Sequence, residues 1–175
     1  MGLLRDKKRL EELEEKGYKE LNEIHGILSL TAESINIQMW QKYSANFNGF
    51  CVGFDPKIMF KFLGGGGKVN YVETLPIINP TESFDVLFTN LTYSKLNKWS
   101  YEEEYRTQKM WGGPANTEIR KIKLPSSAFT DLILGHNMIT KTREEIIREA
   151  QLVNSSIKIL ITNISGDKIS IKPYG

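Results

Sequence analysis

The sequence predicts an α+β fold: a mixed, mainly antiparallel sheet core carrying four or five helices. Strand-like and helix-like stretches interleave irregularly, without the regular alternation of a doubly wound sheet. About eight short runs have strand length and strand-like residues. No repeat with a period of about 20–50 residues is present, and no linker divides the 175 residues. Residues 1–175 therefore read as one domain, a charged helix over 1–24 followed by a core over 25–175.

Taken in order, residues 3–24 are dense in Lys and Glu, with Leu3, Leu10, Leu13, Leu21 and Ile24 at helical intervals. The spacing predicts a helix with one solvated face and one narrow face able to dock a protein partner, and Gly17 is placed to end or bend it. Residues 26–31 are apolar and β-branched enough for a central strand. Over 35–44, Ile35, Met39 and Tyr43 recur every four residues beside Trp40, which predicts a short helix with that face buried. A second core strand covers 49–55 and contains Cys51, the single cysteine, read as an inert core thiol. Asp55-Pro56 then caps and starts a helix over about 57–63.

The run Gly64-Gly65-Gly66-Gly67-Lys68 lacks the Ser or Thr and the earlier glycine of a phosphate loop. It reads as a mobile connection before a strand over 68–73. Asn79-Pro80 is expected to open a helix over 81–97, with Phe84, Leu87, Phe88, Leu91 and Leu96 inward. Strands follow at about 102–111, 118–124 and 129–135, the first two divided by Gly112-Gly113-Pro114. Thr142-Arg143-Glu144-Glu145 forms a capping box for a helix over 143–153. A hairpin of 157–164 and 168–172 closes the chain around Ser165-Gly166-Asp167.

The totals narrow the function classes. A net charge of +2 favours neither nucleic acid nor an acidic membrane. No run approaches the roughly 18 apolar residues of a membrane span, and the charged start is no signal peptide, so a cytoplasmic address is expected. His25 and His136 stand apart and one cysteine makes no zinc set, so no metal is expected.

The densest chemistry is Trp99-Ser100-Tyr101-Glu102-Glu103-Glu104-Tyr105-Arg106. If this segment is extended, Glu102, Glu104 and Arg106 share one side, with the acids' Cα atoms roughly 6–7 Å apart. That arrangement suits two acids acting on one substrate, and equally ion pairs with Lys98, Arg106 and Lys109. A glycosidase-like pair needs its carboxyls on opposite sides of the scissile bond, which one strand face does not provide.

Three blocks together resemble a bacterial family, the domain of unknown function numbered 2971. They are residues 26–31; the pattern Asn36, Met39, Trp40, Tyr43, Ser44, Phe47, Gly49 and Phe50 through Asp55; and Lys95, Trp99, Tyr101, Glu102, Glu104, Tyr105 and Arg106. The likeness covers about residues 25–150. Family members begin with a further strand bearing a Tyr-Arg-like motif and then an Asn-Asp-Pro-Phe loop. This sequence has neither, and resembles an N-terminally short member.

The motif order in turn resembles that of ADP-ribosyltransferase folds. The resemblance implies NAD as substrate, with Glu104 at the nicotinamide ribose and Glu102 orienting or activating the acceptor. Ser29 and Thr31 match the second motif strand, Trp40 or Tyr43 would offer a stacking surface unless spent in the core, and Arg106 completes the cofactor set. The alternative implied by the missing first strand is a non-catalytic binding or regulatory module. Placement of Ser29 and Glu104 in one cleft is the condition the first reading must meet.

Overall fold

The computed structural model describes residues 2–77 and 81–175, so Asn79-Pro80 lies outside the described residues. The elements are α1 (Gly2–Ile24), β1 (His25–Thr31), α2 (Ile37–Tyr43), β2 (Phe50–Phe54), α3 (Pro56–Leu63), β3 (Gly66–Lys68) and β4 (Asn70–Val72). After these come α4 (Phe84–Tyr93), β5 (Ser94–Leu96), a 3-10 turn (Asn97–Glu102), β6 (Glu104–Met110) and β7 (Phe129–Leu134). The chain ends with α5 (Thr140–Val153), β8 (Lys158–Ser165) and β9 (Lys168–Pro173). The fold is α+β, as the sequence predicts, and its strands pair mainly antiparallel.

Two sheets organise the molecule. One has the order β1-β6-β3, wholly antiparallel; the other has the order β2-β7-β8-β9, with β7 and β8 parallel across the α5 crossover. A short parallel pair, β4-β5, completes the set. On the four-stranded sheet, alternation sends Leu132 and Leu134 to one face, where Met138 and Ile157 seal them and Ile146, Ile147 and Ala150 of α5 pack on top. Ile133 goes to the other face, against Trp40 and Phe47. A third cluster joins Met59 and Leu63 of α3 to Ala128.

Local chemistry explains the well-placed elements. Asp55 accepts from Ile58 N at 3.0 Å with Pro56 in the first turn, and Gly64 ends α3 in the left-handed region at φ 91°. Asn36 caps α2 by accepting from Met39 N. Gly166, at φ 58°, turns the closing hairpin.

Several expectations give way to tertiary structure. Gly17 does not end α1, which continues to Ile24. β1 is an edge strand, not a central one. Ile35 and Tyr43 are 47% and 59% exposed, so only Trp40 of that face is buried. The glycine run is partly strand: a Cβ on Gly66 would lie 2.5 Å from the Phe60 ring and 2.6 Å from Arg106 O, so β3 packs this closely only as glycine.

The helix expected over 81–97 stops at Tyr93, because residues 94–96 pair with β4 instead. Residues 118–124 form no strand. Arg120 there donates to carbonyls of the α1–β1 junction, and Ile122 and Leu124 pack on the α3 cluster. The capping box is unused: α5 begins at Thr140 behind Ile139, and the Arg143 guanidinium ties its approach by donating to Met138 O at 2.8 Å.

Candidate functional site

A cavity of about 1370 Å³ opens between the two sheets. Its floor is apolar, including Cys51, Ile133, Leu160 and Ile171, and its charged wall carries Glu102, Glu104, Arg106 and Lys95. The wall is assembled from three neighbouring breaks in regular structure. Because α4 ends early, Lys95 on β5 reaches inward. The 3-10 turn delivers Glu102, and Glu103 at φ 42° reverses the backbone so that β6 starts on Glu104. Glu102 is thus not on the strand with Glu104, contrary to the extended reading, yet both acids face the same lysine.

The end of β1 and the residues that follow it hold the turn in place. Thr31 Oγ1 donates to Glu102 O at 2.8 Å, Ala32 N to Glu103 O at 3.2 Å, and Asn36 Nδ2 to Tyr101 O at 2.5 Å. Thr31 lines the cavity, but its hydroxyl is occupied in this stitch.

The charges form a chain. Glu102 Oε1 accepts from the Tyr43 hydroxyl at 2.7 Å and Lys42 Nζ at 3.3 Å, and its Oε2 from Lys95 Nζ at 2.5 Å. Lys95 also donates to Glu104 Oε2 at 2.7 Å. Arg106 grips Glu104 with Nε at 2.7 Å and Nη2 at 3.3 Å while its Nη1 donates to Thr92 O at 2.5 Å, fixing the guanidinium to the end of α4. Three cations meet two carboxylates.

Burial on its own would raise the Glu104 carboxyl, but hydrogen bonds from Arg106, Lys95 and Ser29 outweigh it and hold the group down to about 2. For Glu102, burial likewise pushes up and Lys95 and Tyr43 push down further, leaving it below the usual carboxylate range. The Lys95 ammonium, lowered by burial, is raised on balance by the two carboxylates. Both acids are therefore fixed anions near neutral pH. Such groups stabilise positive charge developing beside them and are poor proton acceptors.

Ser29 lies across the β1–β6 ladder from Arg106 and lines the same cavity as Glu104. Tyr43 lines it too. Trp40 does not belong to the site: it is 5% exposed, stacks on Phe47 with centroids 5.8 Å apart, and donates Nε1 to Ser34 O. Its helical spacing marks it as core. Burial raises the Cys51 thiol, in keeping with an inert role.

Sequence reasoning missed Lys42 and Lys95 as members of the site. Lys95 stands at the head of the aromatic-acidic block, four residues before Trp99, which was the available signal. His25 Nε2 and Gln108 Oε1 are 3.1 Å apart and His136 Nδ1 and Thr162 Oγ1 are 3.0 Å apart, so the histidines serve other contacts. Among the described residues, no group of three or more His, Cys, Asp or Glu side chains is arranged to hold a metal ion. Nor is any described helix long and apolar enough to cross a membrane.

No family model, no curated protein and no solved structure matches the chain.

Proposed function

We propose that this cleft binds NAD and that the chain is an ADP-ribosyltransferase-like domain, a relative of the domain of unknown function numbered 2971. The observation that carries the reading is that Ser29 of β1 and Glu104 of β6 line one cavity. The ionised Glu104 would sit at the nicotinamide ribose. There the C1′–N bond breaks with its electron pair passing to the ring nitrogen, and nicotinamide leaves neutral. Positive charge spreads over C1′ and the ring oxygen, where a fixed carboxylate lowers the barrier. An acceptor lone pair then bonds to C1′ and its proton passes to water. Glu102, held ionised, orients the acceptor in this scheme and does not serve as its base. Arg106 and Lys95, the two cations that line the cavity, are the groups a diphosphate would meet.

Calorimetric titration with NAD tests this on the wild type, Ser29→Ala and Glu104→Gln. Saturable binding is expected, weakened about fivefold or more by loss of the Ser29 hydroxyl. Release of nicotinamide from NAD is expected to fall about 100-fold in Glu104→Gln with little change in affinity. A folded chain that binds no NAD would overturn the proposal.

One observation favours a second reading, a non-catalytic binding or regulatory module: all four carboxylate oxygens of Glu102 and Glu104 already have partners. Under it, the cluster is a structural clasp and α1 docks a protein partner. Replacement of both acids would then leave partner binding intact. The glycosidase-like arrangement has no support, because one lysine bridges both acids on a single wall.

A further inference from the structure

The four-stranded sheet presents a second polar spot to the cleft. The β2–β7 register runs Cys51–Ile133, Val52–Leu132 and Gly53–Asp131, then jumps to Phe54–Phe129, leaving Thr130 as the extra residue of a β-bulge. Along a regular strand, neighbours point to opposite faces; a bulge re-aims one of them. Here both Thr130 and Asp131 line the cavity. Gly53 stands opposite, and a Cβ there would lie 3.0 Å from Asp131 Oδ2 and 3.1 Å from Thr130 Oγ1. The absent side chain leaves the two polar groups room around one point. Among the described residues, neither side chain has a hydrogen-bond or ion-pair partner.

The contrast with the opposite wall matters. Of the three acids that line the cavity, Glu102 and Glu104 are each paired with cations, whereas Asp131 has no cation beside it among the described residues. It borders the apolar floor of Cys51 and Ile133. A carboxylate offers two acceptors side by side and a hydroxyl adds a donor. Adjacent sugar hydroxyls present the complementary set.

We infer that Thr130 and Asp131 form a subsite for a vicinal diol, the ribose hydroxyl pair of a nucleotide. Asp131 accepts from both hydroxyls and Thr130 donates to one sugar oxygen. The inference rests on reading the cleft as a nucleotide site and adds to it. A ligand that meets Glu104 on one sheet and Asp131 on the other carries two riboses, so the bulge takes the second ribose of a dinucleotide.

The probes are NAD, AMP and 2′,3′-dideoxy-AMP, titrated calorimetrically into the wild type, Asp131→Asn and Thr130→Val. The wild type is expected to bind AMP about tenfold more tightly than its dideoxy analogue. Asp131→Asn, whose shape is conserved and which breaks no existing contact, is expected to abolish that preference, and Thr130→Val to reduce it. NAD binding without a diol preference, or with a preference that survives Asp131→Asn, overturns the subsite and leaves the NAD reading standing. A diol preference on AMP that Asp131→Asn abolishes, without NAD binding, keeps the subsite and removes that reading. No binding of any probe by the folded chain overturns both.

Discussion

Lys95 donates to both carboxylates, at 2.5 Å to Glu102 and 2.7 Å to Glu104, so neither acid can take up a proton without weakening its bond to it. The consequence is a sign for the pH dependence. The Glu104 carboxyl is held down to about 2 against an ordinary value of 4.5, and Glu102 is lowered as well. A depressed carboxyl contributes stability above its unfolded value and loses it as pH falls through the folded one. Thermal midpoints measured from pH 6 to pH 2 should therefore drop chiefly below pH 4.5. Glu104→Gln should be less stable than the wild type by about 2 kcal/mol at neutral pH, after allowance for charges shared across the network. The two curves should converge towards pH 2; parallel curves would mean that the ion pairs contribute nothing. The acids and Arg106 were legible in the sequence as a cluster, but their partners were not. Lys42 and Lys95 reach them from a different helix and from a strand whose existence depends on β4.

At the scale of elements, the boundary between α1 and β1 shows the same dependence. A helix leaves its last carbonyls without partners, and three separate residues satisfy them here. Trp111 N donates to Ile24 O and Ala115 N to Glu23 O, both at 2.8 Å, and Arg120 donates to Asn22 O and, at 3.0 Å, to His25 O. Arg120 also lies 4.8 Å from the Trp111 ring, whose edge fits against Gly26. Arg120→Ala should cost about 2 kcal/mol and speed hydrogen exchange in the last turn of α1 and the start of β1. Arg120→Lys should recover less than half of this, since an ammonium lacks the planar fork. Unchanged exchange in the alanine variant would show that the two backbone donors suffice. Sequence periodicity gave 118–124 the look of a strand because Ile122 and Leu124 alternate with Lys121 and Lys123. That alternation instead serves docking on α3 and the long reach of Arg120. By contrast, the Asp55-Pro56 start of α3 and the closing hairpin depend on neighbours in sequence, and both were legible.

For the whole molecule, the accessible surface is 12093 Å² at 20.0 kDa, whereas a compact chain of that mass exposes about 8700 Å². The excess has visible sources. α1 extends away with mostly exposed residues after Lys8, and the cleft leaves apolar floor uncovered between two sheets that share no ladder. Among the described residues the buried apolar side chains fall into three clusters, two of them linked only through the half-buried Phe129. A ligand that fills the cleft joins the sheets directly, which makes its effect different from that of a ligand on one surface. NAD at about 100 times its dissociation constant should add about 2.7 kcal/mol. Hydrogen exchange should slow on both walls at once, in β1 and β6 on one side and in β2 and β7 on the other. Protection restricted to β1 and β6 would place the nucleotide on the charged wall alone and remove the role of the bulge. Protection of α1 on addition of a protein partner, with both walls unchanged by NAD, would instead establish the non-catalytic module. The extent of protection across the cleft therefore separates the two functional readings without any knowledge of the acceptor.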